Sequence, residues 1–250
     1  MHARSVDVTY EGALRALAEI EFDIPPGQFA SIVGPSGCGK STLLRLIAGL
    51  VRPTEGELSV AGQSPAVARR ASTRLSFVFQ DPTLLPWRTV RANVRLPLEL
   101  LSTSGIRRDT LVAEALELVG LSDFAGRYPN ELSGGMRMRV ALARSLVVEP
   151  ELLLLDEPFG ALDDMTRQAL NEELMNLWSA RRWTGIFVTH NIAEAVFLSE
   201  RILVMSPRPG RIVADIRVPF GMPRSPELRS QAEFARVTGE VAACLRRTEP

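Results

Sequence analysis

The chain has almost no lysine. Of its 29 Lys and Arg residues only Lys40 is lysine, so arginine carries every other basic charge. Histidine is nearly as scarce, with only His2 and His190. Two cysteines, Cys38 and Cys244, cannot build a disulfide framework, and unpaired thiols fit a reducing compartment. There is no net charge: 29 basic residues face 29 acidic ones, which argues against a nucleic-acid binder while leaving a local basic patch open. No apolar run approaches the roughly 18 residues that suggest a membrane span. The opening "MHARSVDVTY" lacks the apolar centre of a signal peptide. These absences lead to the expectation of a cytosolic chain that works at a membrane only through a partner. Tandem repeats and low-complexity tracts are missing too.

A chain of 250 residues can bury one substantial core with a subdomain attached. "SVDVTY" and "AEIEFDI" alternate like half-buried strands, and "QFASIV" is a β-rich run ending at Gly34. "KSTLLRLIAGL" reads as a helix, with Gly49 near its end and Pro53 beyond. "GELSVAG" and "RLSFVFQ" read as further strands. After Gln80 the texture changes to a proline-bearing stretch and then to helical spacing. Leu111, Ala115, Leu118 and Val119 line one helical face, and another helix is expected from about Gly134 to Leu146. Residues 83–150 therefore read as a mostly helical insertion. "LLLLD", "GIFVTH" and "RILVM" are apolar throughout, as in a parallel sheet covered on both faces. Helices alternate with them, which implies an α/β core. "GRIVADIRV" reads as a late strand and "SPELRSQAEFARVTGEVAACLRR" as a closing helix.

The single lysine sits in "GPSGCGKST", residues 34–42, which fits G-x-x-x-x-G-K-[ST] between a strand and a helix. Gly34, Pro35, Ser36, Gly37, Cys38 and Gly39 form a loop whose N–H groups can wrap phosphate oxygens. The helix that follows points its positive end at the same anion. Lys40 is a compact charge on a flexible stem that reaches the outer phosphates, whereas arginine is a planar fork. Ser41 can place its hydroxyl on Mg²⁺, with Thr42 beside it. A guanine-reading Asn-Lys-x-Asp motif is impossible when Lys40 is the only lysine.

Downstream, "LLLLDEP" is an apolar strand ending in two acids. Asp156 can hold Mg²⁺ through water, and Glu157 can orient or deprotonate an attacking water. "LSGGM" places Ser133, Gly134 and Gly135 before a helix, either as a second anion cradle or as an ordinary serine N-cap. His190 ends a strand-like run. Gln80 ends another. Tyr10 can stack on a base or simply pack.

In this order the features resemble the nucleotide-binding subunit of ATP-binding cassette (ABC) transporters over roughly residues 5–218. "GPSGCGKST" is similar to that family's Walker A, Gln80 to its Q-loop and "LSGGM" to its signature motif. "LLLLDEP" is similar to its Walker B, "GALD" with Asp163 to its D-loop and His190 to its switch histidine. The resemblance implies an α/β P-loop NTPase (RecA-like) core with a parallel sheet, an antiparallel β subdomain and an inserted α-helical subdomain. The expected divisions are 1–82 with 151–218 for the core, 83–150 for the helical subdomain and 219–250 for a C-terminal helical tail. It implies ATP and Mg²⁺ as ligands, and two copies facing head to tail. Lys40 would hold phosphates, and Ser41, Gln80 and Asp156 would position Mg²⁺. Tyr10 would stack on adenine, and Ser133, Gly134 and Gly135 would close from the opposite copy. Glu157 would act on water with His190 supporting the γ-phosphate. Met136 and Asn191 depart from the family's more common Gln and Asp, and neither departure removes a phosphate ligand.

"VFQDPTLLPWRTVRANV", "DEPFGALDDMTR" and "VMSPRPGRI" look most like bacterial importers of nitrate, sulfonates or taurine, with importers of thiamine-pyrimidine precursors similar. That resemblance implies integral membrane permease subunits, a periplasmic solute-binding protein, and a position on the cytoplasmic face of the inner membrane. The permease would grip the chain near "DPTLLPWRTVRANV", where Trp87 and the leucines either line a docking groove or pack in the core. Two rival readings are a soluble ABC ATPase that moves no cargo and a small-molecule kinase. The kinase would have no use for "LSGG".

Overall fold

The computed structural model describes residues 1–10, 12, 14–70, 74–101 and 105–247. Three strands, β1 (His2–Tyr10), β2 (Leu14–Asp23) and β4 (Glu55–Ser59), form an antiparallel sheet in the order β2-β1-β4. The larger sheet contains β3 (Phe29–Val33), β5 (Leu75–Val78), β6 (Leu152–Asp156), β7 (Thr184–Thr189), β8 (Arg201–Met205) and β9 (Ile212–Arg217). Its order is β5-β6-β7-β3-β8-β9, parallel except for β9, which runs antiparallel to β8 at the edge. The apolar "LLLLD" run is a strand buried on both sides. Leu153 and Leu155 enter one core while Leu152 and Leu154 enter the other, the period of two expected of a strand.

The helices are α1 (Lys40–Ile47), α2 (Pro65–Arg70), α3 (Val90–Leu100), α4 (Gly105–Leu118), α5 (Gly134–Leu146), α6 (Asp164–Arg181), α7 (Ile192–Leu198) and α8 (Ala232–Arg246). Helix α1 stops where Gly49 takes φ +67°. Its amide donates to Leu46 O and that of Leu50 to Arg45 O, so the last carbonyls are satisfied. Core packing on one face of the large sheet joins β3 to α6, with Phe29 and Trp178 edge to face at 5.7 Å. The opposite face packs against α1 and the antiparallel sheet. A third cluster lies among α3, α4 and α5 and includes Val94, Leu116 and Val140.

One expectation needs correction. Residues 225–247 are not one helix. A short 3-10 turn at Pro226–Ser230 precedes α8, because Gln231 is extended between them. The last three residues of the expected tail, 248–250, lie outside the described residues. Helix α2 was not legible, since six residues are too few to show a helical period. In the stretch around Trp87 the core-packing alternative holds for Leu84 and not for Trp87. Leu84 packs against the cores while Trp87 is 71% exposed. Fully buried Asn93 holds the turn in place, accepting from the Leu85 amide at 2.8 Å and donating to the carbonyls of Leu85, Arg88 and Thr89.

Candidate active site

Strand order assembles the site. β3 lies beside β7, β7 beside β6 and β6 beside β5, so their carboxyl ends open on one edge, where open α/β sheets bind ligands. The loop 34–39 leaves β3, Asp156 ends β6 with Glu157 just after it, His190 follows β7, and Gln80 follows β5. In register, Val33 lies opposite Thr189 and Asp156 opposite Val188.

Within the loop, Gly37 and Gly39 have φ of +74° and +108°, a region that favours glycine. A Cβ on Gly39 would lie 2.7 Å from a Leu17 methyl and 3.0 Å from the Ala16 carbonyl. Gly39 also offers α1 no side-chain cap, so the first-turn N–H groups are free of a side-chain acceptor and suit an anion. Lys40 is buried, and its Nζ donates to Gly34 O at 2.8 Å and Pro35 O at 3.0 Å while lying 3.8 Å from Glu157 Oε1. This positive, glycine-lined cradle fits a polyphosphate. Cys38 is a free thiol buried beneath the loop, and burial pushes its pKa up.

Ser41 Oγ donates to Asp156 Oδ1 at 3.0 Å. Burial, with Glu157 adding repulsion, raises the Asp156 pKa, so a cation here would be stabilising. Among the described residues no cluster of three or more His, Cys, Asp or Glu forms a metal cage. One hydroxyl, one carboxylate and an amide instead suit a Mg²⁺ that takes its other oxygens from phosphate and water. Glu157 has φ +45°, and its Oε2 is 2.8 Å from His190 Nδ1. A Cβ placed on Gly160 would lie 3.7 Å from both Gln80 Nε2 and Glu157 Oε2, so both side chains border Gly160. Tyr10 reaches the loop from β1, its hydroxyl donating to Thr42 Oγ1 at 3.3 Å with the ring part exposed.

Ser133, Gly134, Gly135 and Asp163 form a second group. Ser133 caps α5, accepting from the Met136 amide at 3.3 Å. Asp163 caps α6, accepting from the Thr166 amide at 3.0 Å, and that bond holds its pKa below the usual range. A Cβ on Gly135 would meet Thr166 Cγ2 at 2.8 Å, and one on Gly134 would meet Leu162 Cδ2 at 3.4 Å. The two helix starts are thus packed on each other. Asn191 caps α7 through the Glu194 amide at 3.2 Å, a task asparagine performs as well as aspartate.

Sequence reasoning missed two residues of the 206–211 turn. Arg208 donates from Nε and Nη2 to Gly37 O at 3.2 and 3.0 Å. Gly210 lies so close that a Cβ would sit 2.1 Å from Cys38 O. The only signal was the Pro-Arg-Pro-Gly turn itself, and nothing in it says which loop it touches.

Residues 17–160 match the family described as ABC transporter. Across 247 aligned residues the chain is 43% identical to the taurine import ATP-binding protein TauB of Rhizobium johnstonii, covering 96% of this chain and 92% of that protein. It is 45% identical to the aliphatic sulfonates import ATP-binding protein SsuB 1 of Mesorhizobium japonicum, covering 89% of this chain and 80% of that one. Among solved structures, the dimeric post-hydrolysis ATP-binding cassette MJ0796 bound to ADP and Pi superposes with a TM-score of 0.76 at 34% identity. That match covers 88% of this chain and 99% of that one.

Proposed function

Because the chain belongs to the ABC transporter family and is an ATPase of it, we propose that it is the ATP-hydrolysing subunit of a bacterial importer for a small anionic solute, an aliphatic sulfonate or taurine. The observation that carries the reading is the convergence of Lys40, Ser41, Asp156, Glu157 and His190 on one phosphate loop. The names of the TauB and SsuB relatives support the cargo class.

In this mechanism the loop amides and Lys40 bind the phosphates of ATP, and Tyr10 stacks on adenine. Ser41, Gln80 and Asp156 would hold Mg²⁺, which would supply neutralisation of the phosphate charge. Glu157 takes up the proton of the attacking water. His190, in contact with that carboxylate, orients it and supports the γ-phosphate. Ser133, Gly134 and Gly135 of a second copy complete the site, so ATP favours a closed head-to-tail pair and hydrolysis removes that preference. Electrostatic positioning supplies most of the rate.

No helix of the described residues is long and apolar enough to cross a membrane. In the proposal, which the import ATP-binding names of the relatives support, permease subunits hold the chain at the cytoplasmic face, with a periplasmic solute-binding protein delivering cargo. The test is genetic. Replacing the chromosomal gene by a Lys40→Ala version is expected to abolish growth on taurine or an alkanesulfonate as the sole sulfur source, with growth on sulfate unaffected. Normal growth on every sulfonate would overturn the cargo class.

A further inference from the structure

Behind the Glu157–His190 pair, buried Glu194 faces the partly exposed Arg167, a charge pair that the phosphate site does not use. Arg167, in the first turn of α6, donates from Nη2 to Leu162 O at 2.6 Å, from Nε to Phe159 O at 3.4 Å and from Nη1 to Asp164 Oδ1 at 2.7 Å. The same Nε lies 3.9 Å from Glu194 Oε1. Glu194, in the first turn of α7, is 6% exposed. It accepts from Thr189 Oγ1 at 2.5 Å and from Asn171 Nδ2 at 3.5 Å. Thr189 Oγ1 accepts in turn from the Asn191 amide at 2.9 Å, so one hydroxyl ties both sides of His190. One guanidinium therefore holds the turn 159–164, one carboxylate holds the turn 189–191, and the two face each other.

The fold does not need this pair to join its helices. Leu170 and Leu174 of α6 already share an apolar core with Ala195 and Phe197 of α7. A buried carboxylate is costly unless it is partnered, and burial pushes the Glu194 pKa up. What the pair adds is a fixed separation between two turns. Glu157 lies just before one turn and His190 belongs to the other, and their 2.8 Å contact closes a ring with the brace on its far side. Asp163 and Asp164 lie between Leu162 and Thr166, the residues that pack against Gly134 and Gly135 of the second group.

We propose that Arg167 and Glu194 are positioning residues that set the Glu157–His190 geometry and tie it to the turn carrying Asp163. Neither touches substrate. The proposal rests on the reading of Glu157 and His190 as the hydrolytic pair.

The test uses the purified full chain, with ATPase kcat and KM, ATP binding and thermal melting measured in parallel. Arg167→Ala is expected to lower kcat about tenfold, the order of loss that a small misplacement of reacting groups produces. Its KM for ATP should stay within about twofold, as for a residue that acts only on the chemical step. Arg167→Lys should recover part of the rate, and Arg167→Ala placed on His190→Ala should add no further loss, because both act through one pair. Should Arg167→Ala fail to fold, Glu194→Gln, nearly identical in shape, carries the same expectation. A normal kcat in these variants, with Glu157→Gln inactive, overturns the brace alone. Losses that multiply with His190→Ala overturn it as well. Normal turnover by both Glu157→Gln and His190→Ala overturns the reading of the pair and the brace with it.

Discussion

Arg208 shows how a residue remote in sequence can shape the phosphate loop. Loop amides point at an anion only when the neighbouring carbonyls point away. Lys40 holds two of those carbonyls, at Gly34 and Pro35, and Arg208 grips a third, at Gly37, with two donors. The arginine is exposed, so its hydrogen bonds are worth about 1 kcal/mol. Arg208→Ala is expected to raise the KM for ATP about fivefold with kcat little changed, a figure that follows from that energy. Steady-state ATPase kinetics would check it. An unchanged KM would mean that the loop holds its shape without the arginine. Lys40 and Arg208 also divide the work by shape, the slender ammonium inside the loop and the forked guanidinium outside it.

At the scale of elements, β1 brings Tyr10 to the loop, and Asp7 holds β1 in shape. The strand pairs irregularly with β2, where Glu19 takes φ +51°. Asp7, buried, accepts from the Glu19 amide at 2.6 Å and from Arg15 Nη2 at 2.5 Å. Burial pushes its carboxyl up, but the Glu19 amide and the Arg15 guanidinium outweigh that, and its pKa lies below the ordinary value. The unfolded chain thus takes up the proton first as pH falls. The stability Asp7 contributes is present above the ordinary carboxylate range and is lost as pH drops through the depressed folded value. Asp7→Asn is expected to cost about 1 kcal/mol at neutral pH, the worth of the charge-assisted bonds it weakens. The difference should shrink in acid, where Asp7 is itself neutral. Thermal melts across pH would check this, and a gap constant down to acid pH would refute it.

At the scale of the whole molecule, the site residues fall into two groups. Ser133–Gly135 and Asp163 are fastened to each other at the starts of α5 and α6. In the proposed head-to-tail pair each ATP takes its loop from one copy and Ser133 from the other. Lys40→Ala and Ser133→Arg chains, each inactive alone, should then regain activity when mixed. Random pairing with one intact interface per mixed dimer predicts roughly a quarter of normal turnover. An ATPase titration of one variant into the other would show it, and a flat titration would count against the shared site.

The sequence by itself determined the α/β class, the phosphate loop and the order of its companions. Those features are local: "GPSGCGKST" carries its own glycines and lysine, and the alternation hidden in "LLLLD" follows from a strand covered on both faces. Gly49 and the starts of α5 and α6 were legible for the same reason, since caps and breakers act within a few residues. Only the tertiary structure decided what meets across long separations. Strand order brings Glu157 to His190, and the turn after β8 brings Arg208 under Gly37. Arg167 and Glu194 belong to the same class. Each is an ordinary charged residue on a helix in the sequence, and the pair exists only because α6 and α7 pack side by side.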